Sequence, residues 1–478
     1  MFRRTKIVAT IGPASEGEQQ LNLLMQAGVN VFRLNFSHGE LENKVRIINR
    51  IRDISREHKR AVAILGDLQG PKIRVGRLKD GEIKLSAGRQ VTVTTRDLLG
   101  EKDVIPTTYE DLPRDVRNGN RILLDDGLME LEVLQVSGDE VRCRVISGGL
   151  LKDRKGINLP GVQVSAPALT AKDLADLDFC IEQELDYVAL SFVRQPADVS
   201  ALQTILRSKK AKVRVIAKIE KPEAVGRFQE ILEVSDGIMV ARGDLGVEIS
   251  PEKVPLIQKQ IIRHCNQVGK PVITATQMLE SMVVNPRPTR AETSDIANAI
   301  LDGTDAVMLS AETATGSYPL EAVAVMDRVA HDIERDQQVK TQVFEPISDN
   351  QGYPWLTEAI GQAACRVAVG IGARAILAFT QTGGTAALVA KFRPQLPIIA
   401  VTPSPQVRRR MALYSGVHAL RVDIEGDTEA QIETVNDAVL SSGWFNEGDN
   451  VVLTMGSPLS DPGTTNLLKV HCLKSDKV

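Results

Sequence analysis

The chain contains the run Val213-Arg214-Val215-Ile216-Ala217-Lys218-Ile219-Glu220, in which apolar residues end in charged ones. Seven similar runs occupy residues 7–10, 29–33, 61–65, 187–191, 238–242, 272–276 and 306–310. Short runs that are rich in Val and Ile and bounded by turn residues are typical of parallel strands buried on both faces. Helical patterns separate most of them. Eight such β-α units predict a TIM (β/α)8 barrel, whose reactive groups lie at the C-terminal strand ends.

Residues 66–186 separate the third run from the fourth, which is too long for one helix and its loops. Alternating runs joined by turns such as Asp80-Gly81 and Asp126-Gly127 indicate antiparallel strands. We therefore predict a small β-barrel inserted at residues 70–160, with the TIM barrel formed by residues 1–69 and 161–336. An insertion at this face of a barrel is well placed to act as a lid.

The barrel pattern ends at about residue 336, and the polar segment up to Tyr353 is interpreted as a linker. Runs at residues 375–379, 397–401 and 450–454 alternate with helical patterns. This alternation predicts a doubly wound α/β domain over residues 353–478. The predicted fold class is therefore α/β with three domains.

Composition excludes several classes of protein. Among 478 residues, a net charge of −3 and an aromatic content of 4% do not favour nucleic-acid binding. Five cysteines without a Cys-x-x-Cys pair indicate a reducing compartment and no structural zinc. The basic N-terminus is interrupted at Gly12-Pro13, and no run approaches the ~18 apolar residues of a membrane helix. We predict a cytoplasmic protein without membrane or nucleic-acid partners.

The charged ends of the fifth and sixth runs predict a metal site. Lys218 and Glu220 are two residues apart and share one side of a strand, although an exposed ion pair is the alternative. Asp244 follows the sixth run beside Gly243, and its alternative role is to cap the next helix. Two carboxylates with open water positions suit Mg²⁺, which takes its other ligands from substrate phosphate.

Other runs end in groups that suit an anion. Arg33, Asn35 and Ser37 share one side by period two, and Arg pairs readily with phosphate. The neighbouring His38 alone is weak evidence. The last two runs deliver the hydroxyl and carboxyl residues Thr274, Thr276, Ser310 and Glu312, although either threonine also suits a buried strand.

The sequence shows no Ser-His-Asp order, Walker motif or Rossmann fingerprint. A carboxylate-held metal with a lysine, an arginine and small hydroxyl residues is suited to phosphoryl transfer to or from an enolate.

The chain resembles the pyruvate kinase family over essentially its whole length. The motifs that carry this resemblance lie at residues 33–39 (RLNFSHG), 217–220 (AKIE), 239–248 (MVARGDLGVE), 275–282 (ATQMLESM) and 310–314 (SAETA). The resemblance implies transfer of the phosphoryl group of phosphoenolpyruvate to ADP, giving pyruvate and ATP, the last step of glycolysis.

The resemblance also implies residue roles. Glu220 and Asp244 would bind Mg²⁺, with Mn²⁺ as a substitute, and Lys218 would stabilise the transferring phosphoryl group and the enolate. Lys218, Arg33 and Thr276 are the predicted catalytic residues. The predicted phosphoenolpyruvate site comprises Arg33, Lys218, Gly243, Asp244, Thr276 and Ser310. The predicted nucleotide side comprises Asn35, Phe36, Ser37, His38, Arg74 and Lys155.

One departure from the family concerns potassium. The resemblance places Asn35, Ser37 and Asp67 in a monovalent-cation pocket. Potassium-requiring members have Thr directly after this aspartate and Glu before the Ile-Arg pair, whereas this chain has Leu68 and Lys72. The Lys72 ammonium is therefore predicted to take the place of K⁺, so that K⁺ is not required.

The C-terminal region resembles the family's effector-binding domain. Its loop contains Thr380, Thr382, Gly383, Gly384 and Thr385 before a predicted helix, and such a loop suits an anion. We expect a phosphorylated effector, with a sugar monophosphate or AMP favoured over fructose 1,6-bisphosphate, and a homotetramer.

Two other functions stay open at this point. An Mg²⁺-dependent aldolase or lyase acting on a pyruvate enolate would share the barrel and the metal pair, but it would not need a lid or the basic residues Arg74 and Lys155. A metabolite sensor without catalysis would not need the ionisable residues.

Overall fold

The computed structural model describes residues 2–336, 355–423, 426–456 and 465–474. The predicted linker before Tyr353 lies outside these residues. The first barrel units contain β1 (Lys6–Ile11), α1 (Glu18–Gln26), β2 (Val31–Asn35), α2 (Leu41–Glu57) and β3 (Ala63–Asp67). Every residue of β1 and β3 is buried, which explains why these strands read as continuous apolar runs.

The insertion follows β3 and consists mainly of antiparallel strands. Its elements are β4 (Glu82–Leu85), β5 (Gln90–Thr94), β6 (Val104–Pro106), α3 (Leu112–Asp115), β7 (Arg121–Leu124), β8 (Met129–Ser137), β9 (Glu140–Ser147), β10 (Gly149–Lys152) and β11 (Ile157–Asn158). They form a curled six-stranded sheet, ordered β11-β7-β8-β9-β5-β6, and a two-stranded sheet of β10 and β4. Inward-facing residues such as Leu131, Val133 and Val141 form a separate core for this domain.

The chain then returns to the barrel. Its elements are α4 (Ala171–Glu182), β12 (Tyr187–Leu190), α5 (Pro196–Ser208), β13 (Arg214–Ile219), α6 (Pro222–Gly226), α7 (Phe228–Val234), β14 (Gly237–Ala241), α8 (Arg242–Glu248), α9 (Val254–Val268), β15 (Val272–Ala275), α10 (Arg290–Leu301), β16 (Ala306–Leu309), α11 (Ala311–Ala314) and α12 (Pro319–Arg335). Eight parallel strands close in the order β1-β16-β15-β14-β13-β12-β3-β2. The predicted TIM barrel is confirmed.

The C-terminal domain contains a five-stranded sheet. Its elements are α13 (Trp355–Gly370), β17 (Ala375–Phe379), α14 (Gly384–Lys391), β18 (Ile398–Thr402), α15 (Pro405–Arg410), β19 (Val417–Arg421), α16 (Thr428–Ser441), β20 (Asn450–Met455) and β21 (Leu467–Cys472). The strand order is β19-β18-β17-β20-β21, and only β21 pairs antiparallel.

Helices cover both faces of this sheet. Along β17, Ile376 and Ala378 pack with residues of α13 and α14, whereas Leu377 packs in a second cluster with residues of α16. Because successive strand residues face opposite sides, this alternation places one helical layer on each face. The predicted doubly wound α/β class is confirmed, while the exact domain boundaries stay predictions.

The C-terminal domain packs against the N-terminal end of the barrel. Lys6 Nζ at the start of β1 donates to Val417 O at 2.6 Å. Asp305, which precedes β16, forms a salt bridge with Arg393 at 2.8 Å, and Asp186, which precedes β12, forms one with Arg409 at 2.8 Å. The insertion follows the C-terminal end of β3 and therefore lies at the opposite end of the barrel.

No helix within the described ranges is long and apolar enough to cross a membrane. All five cysteines are free, and all except Cys472 are buried.

Candidate active site

A cluster of charged side chains lies where the barrel strands end on the side of the insertion. Its centre is Lys218 on β13, whose side chain is only 12% exposed. The Lys218 ammonium lies 2.8 Å from Glu220 Oε1 and 3.4 Å from Asp67 Oδ1, and it donates to Ser191 Oγ at 2.8 Å. Burial lowers the pKa of Lys218, but Asp67, Glu220 and Asp244 outweigh it and raise that pKa above its ordinary value. Lys218 is therefore a fixed cation at neutral pH.

Arg33 on β2 extends this cluster. Its Nε donates to Asp67 Oδ2 at 2.7 Å, and its Nη1 donates to Thr10 Oγ1 at 2.9 Å. Burial raises the pKa of Asp67, but Lys218 and Arg33 together bring it below its ordinary value. Asp67 therefore stays ionised and holds both cations at the strand ends. Such a pair of fixed cations suits a phosphate or an enolate oxygen.

Glu220 and Asp244 have the character of metal ligands. The side chain of Glu220 is 1% exposed, its Oε2 accepts from Phe192 N at 2.7 Å, and its Oε1 pairs with the Lys218 ammonium at 2.8 Å. Burial raises the pKa of Glu220, opposed by Lys218 and reinforced by Asp244. A buried carboxylate beside a second carboxylate fits a divalent cation.

The local contacts of Asp244 do not support the capping alternative. Asp244 lies in the first turn of α8, whose first residues follow β14 directly, and the cap of this helix makes no side-chain hydrogen bond. Within the described ranges, no group of three or more His, Cys, Asp and Glu side chains forms a metal cage. A pair of carboxylates suits Mg²⁺, which usually keeps waters and substrate oxygens as its remaining ligands.

The segment at Thr276 is held in an unusual backbone conformation. Thr276 has φ 67° and Gln277 has φ 55°, and a β-branched residue is rarely found in this left-handed region. Thr276 Oγ1 accepts from Gly243 N at 2.7 Å, and a Cβ at Gly243 would lie only 3.3 Å from that oxygen. The small residue at 243 therefore permits this contact, which places Thr276 beside the first turn of α8.

Arg242 secures this segment, and sequence analysis assigned it no role. Its guanidinium donates to Thr276 O at 2.8 Å and to Ala275 O at 3.2 Å. It also forms a salt bridge with Asp295 at 2.7 Å on α10. Strained backbone persists only where its surroundings fix it, and Arg242 provides that support. The only indication of a role for Arg242 in the sequence was its position at the end of an apolar run.

The remaining hydroxyl and carboxyl candidates divide into two groups. Ser310 Oγ is buried and has no hydrogen-bond partner among the residues that the structure describes, so it is available to a ligand. Thr274 is fully buried and bonds Thr304 Oγ1 at 3.0 Å. Glu312 is also buried, and it accepts from the backbone of Ser310 and Leu279. Thr274 and Glu312 are therefore structural, which was the alternative left open for the threonine.

Comparison with known proteins identifies a family. The family described as "Pyruvate kinase, barrel domain" matches residues 2–323, and "Pyruvate kinase, alpha/beta domain" matches residues 358–471. The chain belongs to the pyruvate kinase family. Pyruvate kinases transfer the phosphoryl group of phosphoenolpyruvate to ADP, and the chain is accordingly a phosphotransferase.

Individual pyruvate kinases are similar over nearly the whole chain. That of Geobacillus stearothermophilus is 48% identical over 476 residues, covering 99% of this chain and 81% of the relative. That of Staphylococcus epidermidis strain RP62A is 47% identical over 472 residues, covering 98% and 80%. The crystal structure of a pyruvate kinase from Cryptosporidium parvum superposes with a TM-score of 0.90 at 38% identity, covering 98% of this chain and 96% of that one. None of these matches supports the aldolase or lyase alternative.

Part of the predicted nucleotide side is rich in positive charge. This region around His38 is called the basic rim below. The pKa of His38 is lowered by burial and then by the four cations Arg74, Lys72, Lys44 and Lys172. His38 is thus neutral at pH 7, and positive charge from the barrel and the insertion surrounds it. In the insertion, Arg74 donates to Arg154 O at 3.1 Å and Lys155 lies 2.8 Å from Asp125.

The structure corrects the period-two argument for Ser37 and locates the ring of Phe36, while the nucleotide roles of both residues stay predictions. Strand β2 ends at Asn35, so Ser37 lies in a turn and the period-two argument does not extend to it. Asn35 Oδ1 instead accepts from Ser37 N at 2.9 Å. The ring of Phe36 is buried in the barrel core against Phe179, so only the backbone of Phe36 faces the rim, where its oxygen accepts from Lys172.

The predicted monovalent-cation pocket already contains two protein cations. Of the residues that the structure describes, Arg33 and Lys218 form the salt bridges to Asp67, and Lys72 does not. The Lys72 side chain instead packs beside another residue of the insertion: its Cε lies 3.6 Å from the position of a Cβ on Gly156. Leu68 is buried in an apolar cluster of the barrel. Replacement of K⁺ by Lys72 stays a prediction.

The predicted effector loop connects β17 to α14. Thr380 Oγ1 accepts from Gly383 N at 2.8 Å, and Thr385 bonds Thr465 at 3.0 Å, so both hydroxyls are engaged within the domain. Thr382, Gly383 and Gly384 line a cavity of about 930 Å³ between this domain and the barrel. The loop therefore presents three of its five predicted residues to this cavity.

Proposed function

We propose that the charged cluster at the strand ends is the catalytic site of this pyruvate kinase. The observation that carries the proposal is the contact of the buried Lys218 ammonium with both Glu220 and Asp67 at the strand ends. Glu220 and Asp244 would hold Mg²⁺, or Mn²⁺ in its place. The ion supplies positive charge that neutralises substrate oxygens.

The chain's own residues account for the rest of the reaction. Arg33 and Lys218 bind the phosphate of phosphoenolpyruvate, with Gly243, Thr276 and Ser310 around the carboxylate and enolate. The bond between phosphorus and the enol oxygen breaks, a bond from phosphorus to an ADP oxygen forms, and the electron pair remains on the enolate. Lys218 stabilises this enolate because its ammonium is already fixed before charge develops. A proton then adds to the enolate carbon near Thr276, giving pyruvate.

The proposed nucleotide side is the basic rim formed by His38, Arg74 and Lys155 with the backbone of residues 35–37. Cations from both domains surround His38, so a polyphosphate would bridge the insertion and the barrel. This position explains why the insertion should close as a lid when ADP binds.

The activity is tested by measuring pyruvate release from phosphoenolpyruvate with lactate dehydrogenase as the coupling enzyme. We expect release that depends on both ADP and Mg²⁺. Pyruvate release without ADP would instead indicate hydrolysis of phosphoenolpyruvate, whereas an aldolase or lyase would release no pyruvate from this substrate. A protein that binds phosphoenolpyruvate without turnover would be a sensor.

We propose that the enzyme works without potassium, because Lys72 adds a positive charge to the rim and Leu68 offers no oxygen ligand. Turnover in a Tris or tetramethylammonium buffer should be close to that at about 0.1 M K⁺, with ionic strength held constant because it screens charges over ~10 Å. The paired change Leu68→Thr with Lys72→Glu should create potassium dependence.

The control for this prediction is Lys79→Glu, an exposed charge reversal in the insertion that should leave the response to K⁺ unchanged. A tenfold or larger stimulation of the wild-type enzyme by K⁺ would show that Asn35, Ser37 and Asp67 still bind the ion.

We further propose that a phosphorylated metabolite regulates the enzyme from the loop at Thr380–385. The cavity beside Thr382, Gly383 and Gly384 is also lined by Arg214 and Arg410. Within the described part of the chain the buried Arg410 Nε has no hydrogen-bond partner, so it is available to an anion. The cavity is also lined by Gln203, Gln229 and Asp236, whose amide and carboxylate groups suit sugar hydroxyls and favour a sugar monophosphate.

Glucose 6-phosphate, ribose 5-phosphate, AMP and fructose 1,6-bisphosphate should be compared in phosphoenolpyruvate saturation curves. An effector should change apparent affinity by roughly 5-fold to 150-fold, the usual range of allosteric coupling. Arg410→Gln should abolish this response, whereas Arg421→Gln, at an exposed ion pair of the same domain, should retain it. Saturation curves that none of the four compounds shifts would refute regulation at this loop.

We also propose that the enzyme is cytoplasmic and that it assembles as a homotetramer. Sedimentation would test the homotetramer.

A further inference from the structure

Glu248, at the end of α8, contacts both the insertion and the segment after β13 through one buried carboxylate oxygen. The side chain is 1% exposed, and its Oε1 accepts from Asn158 Nδ2 at 2.8 Å and from Lys221 Nζ at 2.5 Å. Asn158 is the last residue of β11 in the insertion, and Lys221 directly follows Glu220. Insertion and barrel therefore meet at Glu248.

The position of Glu248 on α8 ties this junction to one proposed metal ligand. Glu248 is the last residue of α8, and Asp244 lies four residues earlier on the same helix. Residues four apart lie on the same side of a helix, one turn from each other. A force that moves the end of this seven-residue helix therefore also moves the carboxylate of Asp244.

The contacts of Lys221 tie the same junction to the other proposed ligand. Lys221 Nζ lies 5.8 Å from the centroid of the Phe192 ring. The backbone N–H of Phe192 donates to Glu220 Oε2 at 2.7 Å, with Phe192 itself at φ 56°. A continuous set of contacts thus runs from Asn158 of the insertion through Glu248, Lys221 and Phe192 to Glu220.

Glu248 itself is not suited to bind the metal. Its Oε1 is already occupied by an ammonium and an amide, which together satisfy a buried carboxylate. The same pairing makes the junction specific, because a buried carboxylate that loses one donor is left partly unsatisfied. The insertion is thereby favoured in the orientation that brings Asn158 to Glu248.

We propose that Glu248 is a positioning residue that couples the seating of the insertion to the geometry of the metal site. The inference rests on the proposed assignment of Glu220 and Asp244 as Mg²⁺ ligands. When Asn158 is bound, Glu248 and Lys221 hold α8 and the segment after Glu220 in the arrangement that presents both carboxylates to one ion. When the insertion moves away, Glu248 loses its amide donor and the two ligands lose a shared support.

The test measures Mn²⁺ binding to the substrate-free protein by electron paramagnetic resonance of free Mn²⁺, together with kcat and KM. Glu248→Gln should weaken Mn²⁺ binding by about 10-fold to 100-fold, the range for a group that supports a metal ligand. Asn158→Ala, which alters no barrel residue, should weaken it by about 5-fold or more. In both variants kcat should fall more than the KM for phosphoenolpyruvate rises. Glu101→Gln at an exposed Lys–Glu pair of the insertion is the matched control and should have no effect.

Substitutions at Asn158 and Glu248, made singly and together, distinguish a positioning role from general destabilisation of the protein. Asn158→Asp places a second carboxylate against Glu248 and should weaken Mn²⁺ binding more than Asn158→Ala. Adding Glu248→Gln to Asn158→Asp restores an amide–carboxylate pair and should recover part of the affinity. The double variant Asn158→Ala with Glu248→Ala should be no weaker than Glu248→Ala alone, because alanine at 248 already removes the oxygen that Asn158 contacts.

The possible failures are distinguishable. If wild-type protein binds Mn²⁺ and turns over, but Asn158→Ala leaves Mn²⁺ affinity and kcat within a factor of about two, the coupling is refuted. Absence of Mn²⁺ binding in the wild type, or binding unaffected by Glu220→Gln, would instead refute the proposed metal site.

Discussion

Replacement of Lys218 by Met should lower kcat by roughly 10²–10⁴-fold, the effect of losing a preorganised charge that stabilises a developing anion. Lys218 is the centre of the cluster, with Glu220 at 2.8 Å and Asp67 at 3.4 Å. Because its carboxylate neighbours raise its pKa, it carries its charge throughout the usual assay range. The variant removes that charge while keeping a long unbranched side chain.

The KM for phosphoenolpyruvate should change much less than kcat in this variant, because Arg33 still binds the phosphate and the enolate charge appears only in the transition state. Lys218→Arg is the matched control for charge. It keeps the cation but alters its shape, so it should recover only part of the activity. Circular dichroism must show that Lys218→Met is folded, since Asp67 and Glu220 lose a counter-charge. A kcat within a factor of about three of wild type would remove Lys218 from the mechanism.

The barrel was predictable because its strands are buried on both faces and therefore appear as uninterrupted apolar runs. Strands that sequence analysis did not predict, such as β6, β11 and β21, lack this pattern. Strand β11 has two residues, β6 has three, and β21 is only partly buried at an edge of its sheet. Short and edge strands bury too little apolar surface to show a clear period.

The candidate site was predictable to the extent that its residues follow strands directly. Lys218 is the penultimate residue of β13 and Glu220 directly follows that strand, so the period of two still brings them together. The argument failed at Ser37 because β2 ends at Asn35 and the chain turns, so a period of two no longer applies. It also missed Arg242 and Glu248, whose partners Thr276 and Asn158 are 34 and 90 residues away in the chain. Such contacts depend on tertiary packing, which no local pattern encodes.

Replacement of Asp244 by Asn should raise the Mg²⁺ concentration needed for half-maximal activity by about 100-fold or more. Loss of an outer-shell partner alone typically weakens metal binding by about 10-fold to 100-fold, and a direct ligand should contribute at least as much. Asparagine has almost the same shape but no charge. Asp244 lies partly exposed in the first turn of a short helix, so the exchange should leave the fold intact.

The same change should also alter Glu220. Asp244 is one of the groups that raise the pKa of Glu220, so Asp244→Asn should lower that pKa and leave Glu220 more readily ionised. Residual metal binding should therefore persist at high Mg²⁺ concentration, with a reduced kcat because one side of the ion is no longer held. Glu220→Gln, in contrast, should lose binding more completely, since it removes the buried carboxylate itself.

The measurements for Asp244→Asn are Mg²⁺ activation curves at saturating phosphoenolpyruvate and ADP, and direct Mn²⁺ titration. Asp178→Asn, at an exposed ion pair with Lys209 on the barrel surface, is the control for loss of an aspartate charge and should behave as wild type. A crystal structure with Mn²⁺ and a substrate analogue should show the ion between Glu220 and Asp244. An ion bound elsewhere, or an unchanged metal requirement in Asp244→Asn, would show that these carboxylates are not the metal site.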